Sequence, residues 1–477
     1  MLKYHQPNTQ ANPMKPLHLQ AFNPEPFSAR RAQLARAMRA QSATDTSIAI
    51  IPTASEVVRN RDAHYQFRPD SYFYYLTGFT EPEAFLVLCV TADSARSILF
   101  CREKNLEREI WDGYRLGPDN APEQLGVDQA LSVDQLDAQL PQLLSNAQTV
   151  FAPLAYNATF DARLSHALNA TRALARSGSN APSVQHDVYA LLDEMRLRKD
   201  ASEQNWMREA GKISAAGHIR AMQTCQVGWR ELDLDAEIRH EFMRRGAQEV
   251  AYSSIVATGA NACVLHYRAG LSELADGDLC LIDAGAEYGY YAGDITRTFP
   301  VNGRFTKSQR AVYDVVLHAQ SEAIALTRAG VAFDAPHHAV VRVLTQGLLD
   351  LGILNANTVG TLDDAIAQKA YLPYFMHRTG HWLGLDVHDC GAYSVGQQPD
   401  PNDAAKTLPI FRNLESGMAL TIEPGLYIRP SAEVPPEFWN IGIRIEDDAI
   451  VTDLGCELMT RDVPVDAGEI ELLMKNK

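Results

Sequence analysis

The sequence predicts a mixed α/β protein in two domains, the second built from two related halves. Three observations carry this. The chain has 477 residues, more than one ordinary hydrophobic core accommodates. Its first third alternates short β-branched and aromatic runs with helical patterns, as a layered α/β unit does. Its remainder runs through one order, two helices then strands with tight turns, and then runs through it again.

Residues 1–26, rich in Gln, Asn and Pro, read as a flexible start, with Met14 as an alternative initiator. An amphipathic helix follows from Phe27 through Arg30, Leu34 and Met38. Strands are expected at 47–52, 72–78, 85–91, 97–102 and 149–153, and helices at 133–147 and 160–176. The Ser, Gly, Asn and Pro content of 177–183 marks a linker, which puts the first domain at 1–180 and the second at 181–477. In the second, helices are expected at 202–225, 232–245, 307–328 and 336–351, each pair followed by strands. Gly277, Ile282, Asp283 and Gly285 recur in the same spacing as Gly417, Ile422, Glu423 and Gly425. Each time a turn glycine feeds a strand that ends in a carboxylate, and a second glycine lets the backbone turn away beside it. Such a duplication sets the two acids around a pseudo-twofold axis.

Composition narrows the function classes. With 46% hydrophobic and 21% charged residues the chain reads as a soluble globular protein. A formal charge of -16, from 59 acids against 43 bases, argues against nucleic acid or an anionic membrane as partner. No apolar run reaches the roughly 18 residues that span a bilayer, and the polar start lacks a signal-peptide core, so a cytoplasmic location is expected. The 7 cysteines are scattered and form no C-x-x-C pair, which points to reduced thiols rather than disulfides or a thiolate zinc site.

The chemistry concentrates in Asp283, Asp294, His381, Glu423 and Glu446. Asp283 and Asp294 flank an expected hairpin over 280–301, so both can project toward one face. Asp283, Glu423 and Glu446 each follow an apolar run that reads as buried, and a buried carboxylate requires a partner. Four carboxylates are neutralised by two divalent cations, which favours a dinuclear site. Oxygen donors with one imidazole suit manganese, iron or cobalt better than a thiolate-type zinc site. Two such ions make a shared water acidic enough to attack a carbonyl, so the inferred reaction is hydrolysis. His381 is the best histidine ligand of its cluster, whereas His377, His388 and His266 suit hydrogen bonding to a substrate carbonyl and its tetrahedral intermediate. Arg444, two residues before Glu446 on the same strand face, is expected to pair with a ligand carboxylate and keep it ionised.

The stretches Leu281-Ile-Asp-Ala-Gly285, Gly293-Asp-Ile-Thr-Arg-Thr-Phe299, Gly380-His-Trp-Leu-Gly-Leu-Asp-Val-His-Asp389, Thr421-Ile-Glu-Pro-Gly425 and Gly442-Ile-Arg-Ile-Glu446 resemble those of the pita-bread metallopeptidases. Within that group, Tyr75-Leu-Thr-Gly-Phe-Thr-Glu-Pro-Glu-Ala84, Glu109-Ile-Trp-Asp-Gly-Tyr-Arg-Leu-Gly117 and Ala432-Glu-Val-Pro-Pro436 are similar to the aminopeptidase P, or Xaa-Pro aminopeptidase, branch. The resemblance implies a creatinase-like N-terminal α/β domain and a pita-bread catalytic domain with pseudo-twofold symmetry. It implies two manganese ions, peptides with N-terminal Xaa-Pro as substrates, and Glu423 as both ligand and general base. It also implies a homodimer or homotetramer, in which Trp111 is a candidate contributor to a neighbour's active site; the alternative is a buried tryptophan anchoring its own domain. Tyr427 is a candidate substrate contact, with simple packing as its alternative. The rivals are a prolidase with the same metals, a methionine aminopeptidase, disfavoured by the large preceding domain, and a non-catalytic peptide-binding module, disfavoured by the complete ligand set.

Overall fold

A strand whose successive side chains are buried must be covered on both faces, and Thr46–Pro52 is buried from Ser47 to Pro52. In the computed structural model, which describes residues 22–42, 46–400 and 403–475, it lies inside a six-stranded mixed sheet. The strand order is Gln129–Ser132, Ala95–Cys101, Phe85–Thr91, Thr46–Pro52, Thr149–Ala152, Val184–Asp187. Ile48 and Ile50 pack under the helices Leu136–Leu144 and Ala158–Ala173, while the alternate residues Ala49 and Ile51 face the helix Glu25–Gln41. This second core continues through Met207, Tyr291 and Leu383 into the C-terminal part, so the sheet and the catalytic unit share apolar packing.

Three expectations for this region change. The run 72–78 is the helix Ser71–Thr77, not a strand. Its aromatics favour strands, but the Asp70 carboxylate caps it by accepting from the amides of Tyr72 and Phe73, and Gly78 ends it at φ 65. The stretch 177–183 is not an interdomain linker. It closes a β-α-β crossover, because Val184–Asp187 adds in parallel to Thr149–Ala152, and the sheet therefore runs past the boundary expected at 180. Of the expected flexible start, residues 1–21, Met14 included, lie outside the described residues. Residues 22–26 are docked: Phe22 stacks on Phe27 with ring centroids 5.3 Å apart, and the helix begins at Glu25.

The expected second-unit helices form as Ala201–Thr224, Glu231–Arg244, Lys307–Leu326 and Ala335–Asp350, the first and third opened by capping boxes at Asp200 and Thr306. Each helix pair is followed by a bent hairpin. Leu279–Asp283 pairs with Thr296–Pro300 and, beyond the bend, Ala286–Tyr288 pairs with Tyr291–Ala292. Likewise Ala419–Ile422 pairs with Asp447–Val451, and Gly425–Ile428 with Ile441–Arg444. The registers correspond, since Ile282 faces Arg297 as Ile422 faces Asp447. These equivalent positions meet: Arg297 and Asp447 are fully buried and ion-paired at 2.8 Å, so the pseudo-twofold axis passes between the halves here. Gly277 and Gly417 hold φ 86 and 89, the left-handed turn that feeds each strand. At Gly285 the reason for glycine is proximity, because a Cβ would sit 1.7 Å from the carbonyl oxygen of Gly293 across the bend.

Candidate metal centre

The bends of the two hairpins carry the acids. Asp283 closes one strand and Asp294 stands two residues before its partner; in the second hairpin Glu423 follows one strand, in the place of Asp283, and Glu446 immediately precedes the other, in the register place of Thr296. All four, with His381, line one cavity of about 740 Å³ that also receives His266, His377, His388 and Arg444. Donor atoms of Asp294, His381 and Glu446 lie within 4.8 Å of one another. His381 Nε2 is 3.4 Å from Asp294 and 3.7 Å from Glu423.

Its other nitrogen, Nδ1, lies 2.9 Å from the Trp382 carbonyl oxygen. Donation there fixes the tautomer and leaves Nε2 facing the carboxylates, the orientation a metal-binding imidazole takes. Burial opposes a charge on His381, yet Asp294 and Glu423 together hold its proton up to about 9. Burial pushes Glu423 up to about 7, and burial together with Asp294, Glu423 and Asp283 pushes Glu446 well above the usual carboxylate range. Acids this strongly pressed to stay protonated have too little positive charge around them from the chain alone. Oxygen donors, one presented imidazole and an excess of buried negative charge fit divalent cations.

The surroundings fix these groups. Arg444 donates to Asp283 at 2.5 Å, to the Tyr427 hydroxyl at 2.9 Å and to Thr296 Oγ1 at 3.0 Å, and Thr296 Oγ1 in turn donates to Glu446 at 2.6 Å. The pairing of Arg444 with a carboxylate is therefore present, with Asp283 as its partner. The Tyr252 hydroxyl bridges Asp283 and Asp294, the latter at 2.6 Å. The Asp448 carboxylate accepts from the Asp294 amide at 2.9 Å. Neither Tyr252 nor Asp448 was legible as a site residue. Tyr252 comes from a different segment and carries no motif, whereas the unbroken acidic run Glu446, Asp447, Asp448 was a usable signal for the second.

The three remaining histidines separate. His377 has both ring nitrogens engaged, Nδ1 at 2.6 Å from the Arg378 carbonyl and Nε2 at 2.8 Å from the Tyr427 hydroxyl. With Nδ1 donating to the carbonyl, Nε2 accepts from Tyr427; burial, then Arg444, hold the ring neutral, its pKa down to about 3. His266 and His388 have no hydrogen-bond partner among the described residues and line the cavity, and the His388 ring stands 4.3 Å from that of His381. Tyr427 is buried and does not line the cavity, so its position fits packing and support rather than substrate contact. Trp111 is 83% exposed on the helix Leu106–Asp112, which rules out the anchoring alternative, and it lies away from this chain's own cavity.

Residues 205–453 match the model of metallopeptidase family M24, and residues 27–151 match the aminopeptidase P N-terminal domain. The chain belongs to metallopeptidase family M24. This M24 metallopeptidase is 46% identical to the Xaa-Pro aminopeptidase of Escherichia coli (strain K12), over 94% of its own length and 97% of the relative. It is 42% identical to the Xaa-Pro aminopeptidase of Haemophilus influenzae, with the same coverage of 94% and 97%. Among solved structures, it superposes on Escherichia coli aminopeptidase P, a variant in complex with substrate, with a TM-score of 0.89 and 44% identity over 96% of this chain and 99% of that one. Pseudomonas aeruginosa aminopeptidase PepP gives 0.87 and 45% over 94% and 98%. The duplicated catalytic unit behind an N-terminal α/β unit is thus the fold of this family.

Proposed function

We propose that the protein is a metal-dependent Xaa-Pro aminopeptidase that hydrolyses the bond between an N-terminal residue and a proline in second place. The observation that carries this is the convergence of three buried carboxylates, the half-buried Glu423 and His381 Nε2 on one cavity whose walls also present His266 and His388. Asp283, Asp294, His381, Glu423 and Glu446 would hold two divalent ions, with manganese as the metal. When bound, these ions supply Lewis acidity and a water acidic enough to act near neutral pH.

The chain's own groups do the rest. Glu423, whose carboxylate among the described residues contacts no guanidinium and accepts a single 3.3 Å hydrogen bond, from Thr421, takes the proton of the attacking water and delivers it to the departing proline nitrogen. Arg444 opposes the upward push of burial on the Asp283 carboxyl, and Tyr427 holds His377 in place. His266 and His388 donate to the scissile carbonyl as it gains charge. A bond to proline has no amide hydrogen to offer, so recognition falls to shape, and Ile255, Leu265 and Val387 supply an apolar wall. A homodimer or homotetramer is part of this reading, supported by Leu106, Ile110, Trp111 and Tyr114, all more than 80% exposed on one short segment. Location in the cytoplasm is supported by seven cysteines that form no disulfide.

The test is hydrolysis of an Xaa-Pro-Yaa tripeptide beside the matching Xaa-Pro dipeptide, with manganese supplied. Release of the first residue from the tripeptide alone is expected; preference for the dipeptide would make the protein a prolidase. Glu423→Ala should lower kcat by about 10²–10⁴-fold while leaving the circular dichroism spectrum unchanged. An active Glu423→Ala variant would refute the assigned base.

A further inference from the structure

Two arginines in the cavity wall have no role in the chemistry above. Arg268 follows His266 by two residues, Arg378 follows His377 by one, and both are exposed side chains lining the same cavity from separate segments. Neither guanidinium has a hydrogen bond or an acidic partner among the described residues. Arg378 makes a single contact of note, lying over the Phe411 ring at 5.9 Å. Asp334, another acid of the wall, is paired with His338 at 3.0 Å. By contrast Arg444, deep in the cavity, is fully committed to Asp283, Tyr427 and Thr296.

This arrangement is graded along the cavity. Its inner end is buried and acidic, and its exposed part carries unpaired positive charge, on a chain whose formal charge is -16. In an exopeptidase that removes the first residue, the reacting bond lies at the inner end and the chain beyond it runs outward. The exposed arginines therefore meet the part of the peptide downstream of proline. A guanidinium presents paired N–H donors that match a carboxylate.

We propose that Arg268 and Arg378 form a carboxylate-receiving rim, so that the enzyme prefers short Xaa-Pro peptides carrying a negative charge just beyond proline. This rests on the Xaa-Pro reading of the site. The carboxylate has two sources, the C-terminus of a short peptide or an acidic side chain.

The experiment measures kcat/KM for four substrates on the manganese-loaded enzyme: Ala-Pro-Ala and its C-terminal amide, then the amides of Ala-Pro-Glu and Ala-Pro-Gln. The first pair reads the terminal carboxylate and the second the side chain. A preference of about three- to fivefold for the charged member of at least one pair is expected, the range of a solvent-exposed ion pair. It should shrink with added salt. In the R268Q/R378Q double variant the ratio should fall to about one, and R378K should keep part of it because the charge remains. A ratio of one in the unmodified enzyme, or an unchanged ratio in the double variant, overturns the rim. Failure to cleave all four peptides would overturn the Xaa-Pro reading itself, and the rim with it.

Discussion

At the scale of single residues, the acids are held by neighbours that have no ligand role of their own. The Tyr252 hydroxyl has one proton and two carboxylates beside it, Asp283 and Asp294, so it sets their spacing. Partners of this kind orient metal ligands and typically contribute about 10–100-fold in affinity. Tyr252→Phe should therefore weaken manganese binding by about that factor in a calorimetric titration. Unchanged affinity would show that the two aspartates keep their spacing without it. Asp283, Glu423 and Glu446 were legible because each follows an apolar run, a placement that is costly without a counter-charge, and Asp294 because it lies across the expected hairpin from Asp283. Tyr252 was not, since a tyrosine in a connecting segment has no local feature that names its partner.

At the scale of elements, the bent hairpin is the unit that delivers two acids to one point. Its bend depends on the 1.7 Å that separates a would-be Cβ at Gly285 from the Gly293 carbonyl oxygen. Gly285→Ala should cost about 3 kcal/mol or more, seen as a lowered thermal midpoint, because backbone rather than a movable side chain is in the way. Gly455→Ala, where nothing lies within 4 Å, is the control and should change little. Equal midpoints for the two variants would show that the bend tolerates a side chain. The paired glycine and acid spacing at 277–285 and 417–425 revealed both hairpins, since turn and strand signals there are local. In the helix Ser71–Thr77 the aromatic content outweighs, in sequence, an Asp70 cap that acts only through geometry, so the local pattern reads as a strand.

At the scale of the whole molecule, the site is a concentration of negative charge that the fold must carry. In metal-free protein, burial of His381 is outweighed by Asp294 and Glu423, which hold its proton up to about 9 from an ordinary 6.5, and burial pushes Glu423 up to about 7 from 4.5. Both folded values are raised, so each group contributes stability that is complete at low pH and lost as pH rises through its folded value. For Glu423 that window runs from about 4.5 to about 7, and for His381 from about 6.5 to about 9. The metal-free thermal midpoint of the wild type should fall relative to Glu423→Gln as pH rises through this range. Manganese should restore the wild type most at the alkaline end, where its ligands are already deprotonated. A wild-type midpoint that tracks Glu423→Gln at every pH would show that the acids carry no such strain.

The sequence by itself determined the duplicated helix and strand order, the four acids with His381, and the family those motifs resemble. Each rests on short-range patterns: apolar periodicity, turn glycines, and residue types at fixed spacing. Tertiary packing alone settles which arginine meets which acid, that His377 is spent on Tyr427 and a carbonyl while His266 and His388 have no hydrogen-bond partner among the described residues, and that Trp111 faces outward. It also decided that 177–183 closes a crossover and that Arg297 and Asp447 meet on the axis. These depend on segments up to 161 residues apart being brought together, and hydrogen bonds and burial at such distances have no signature in local spacing.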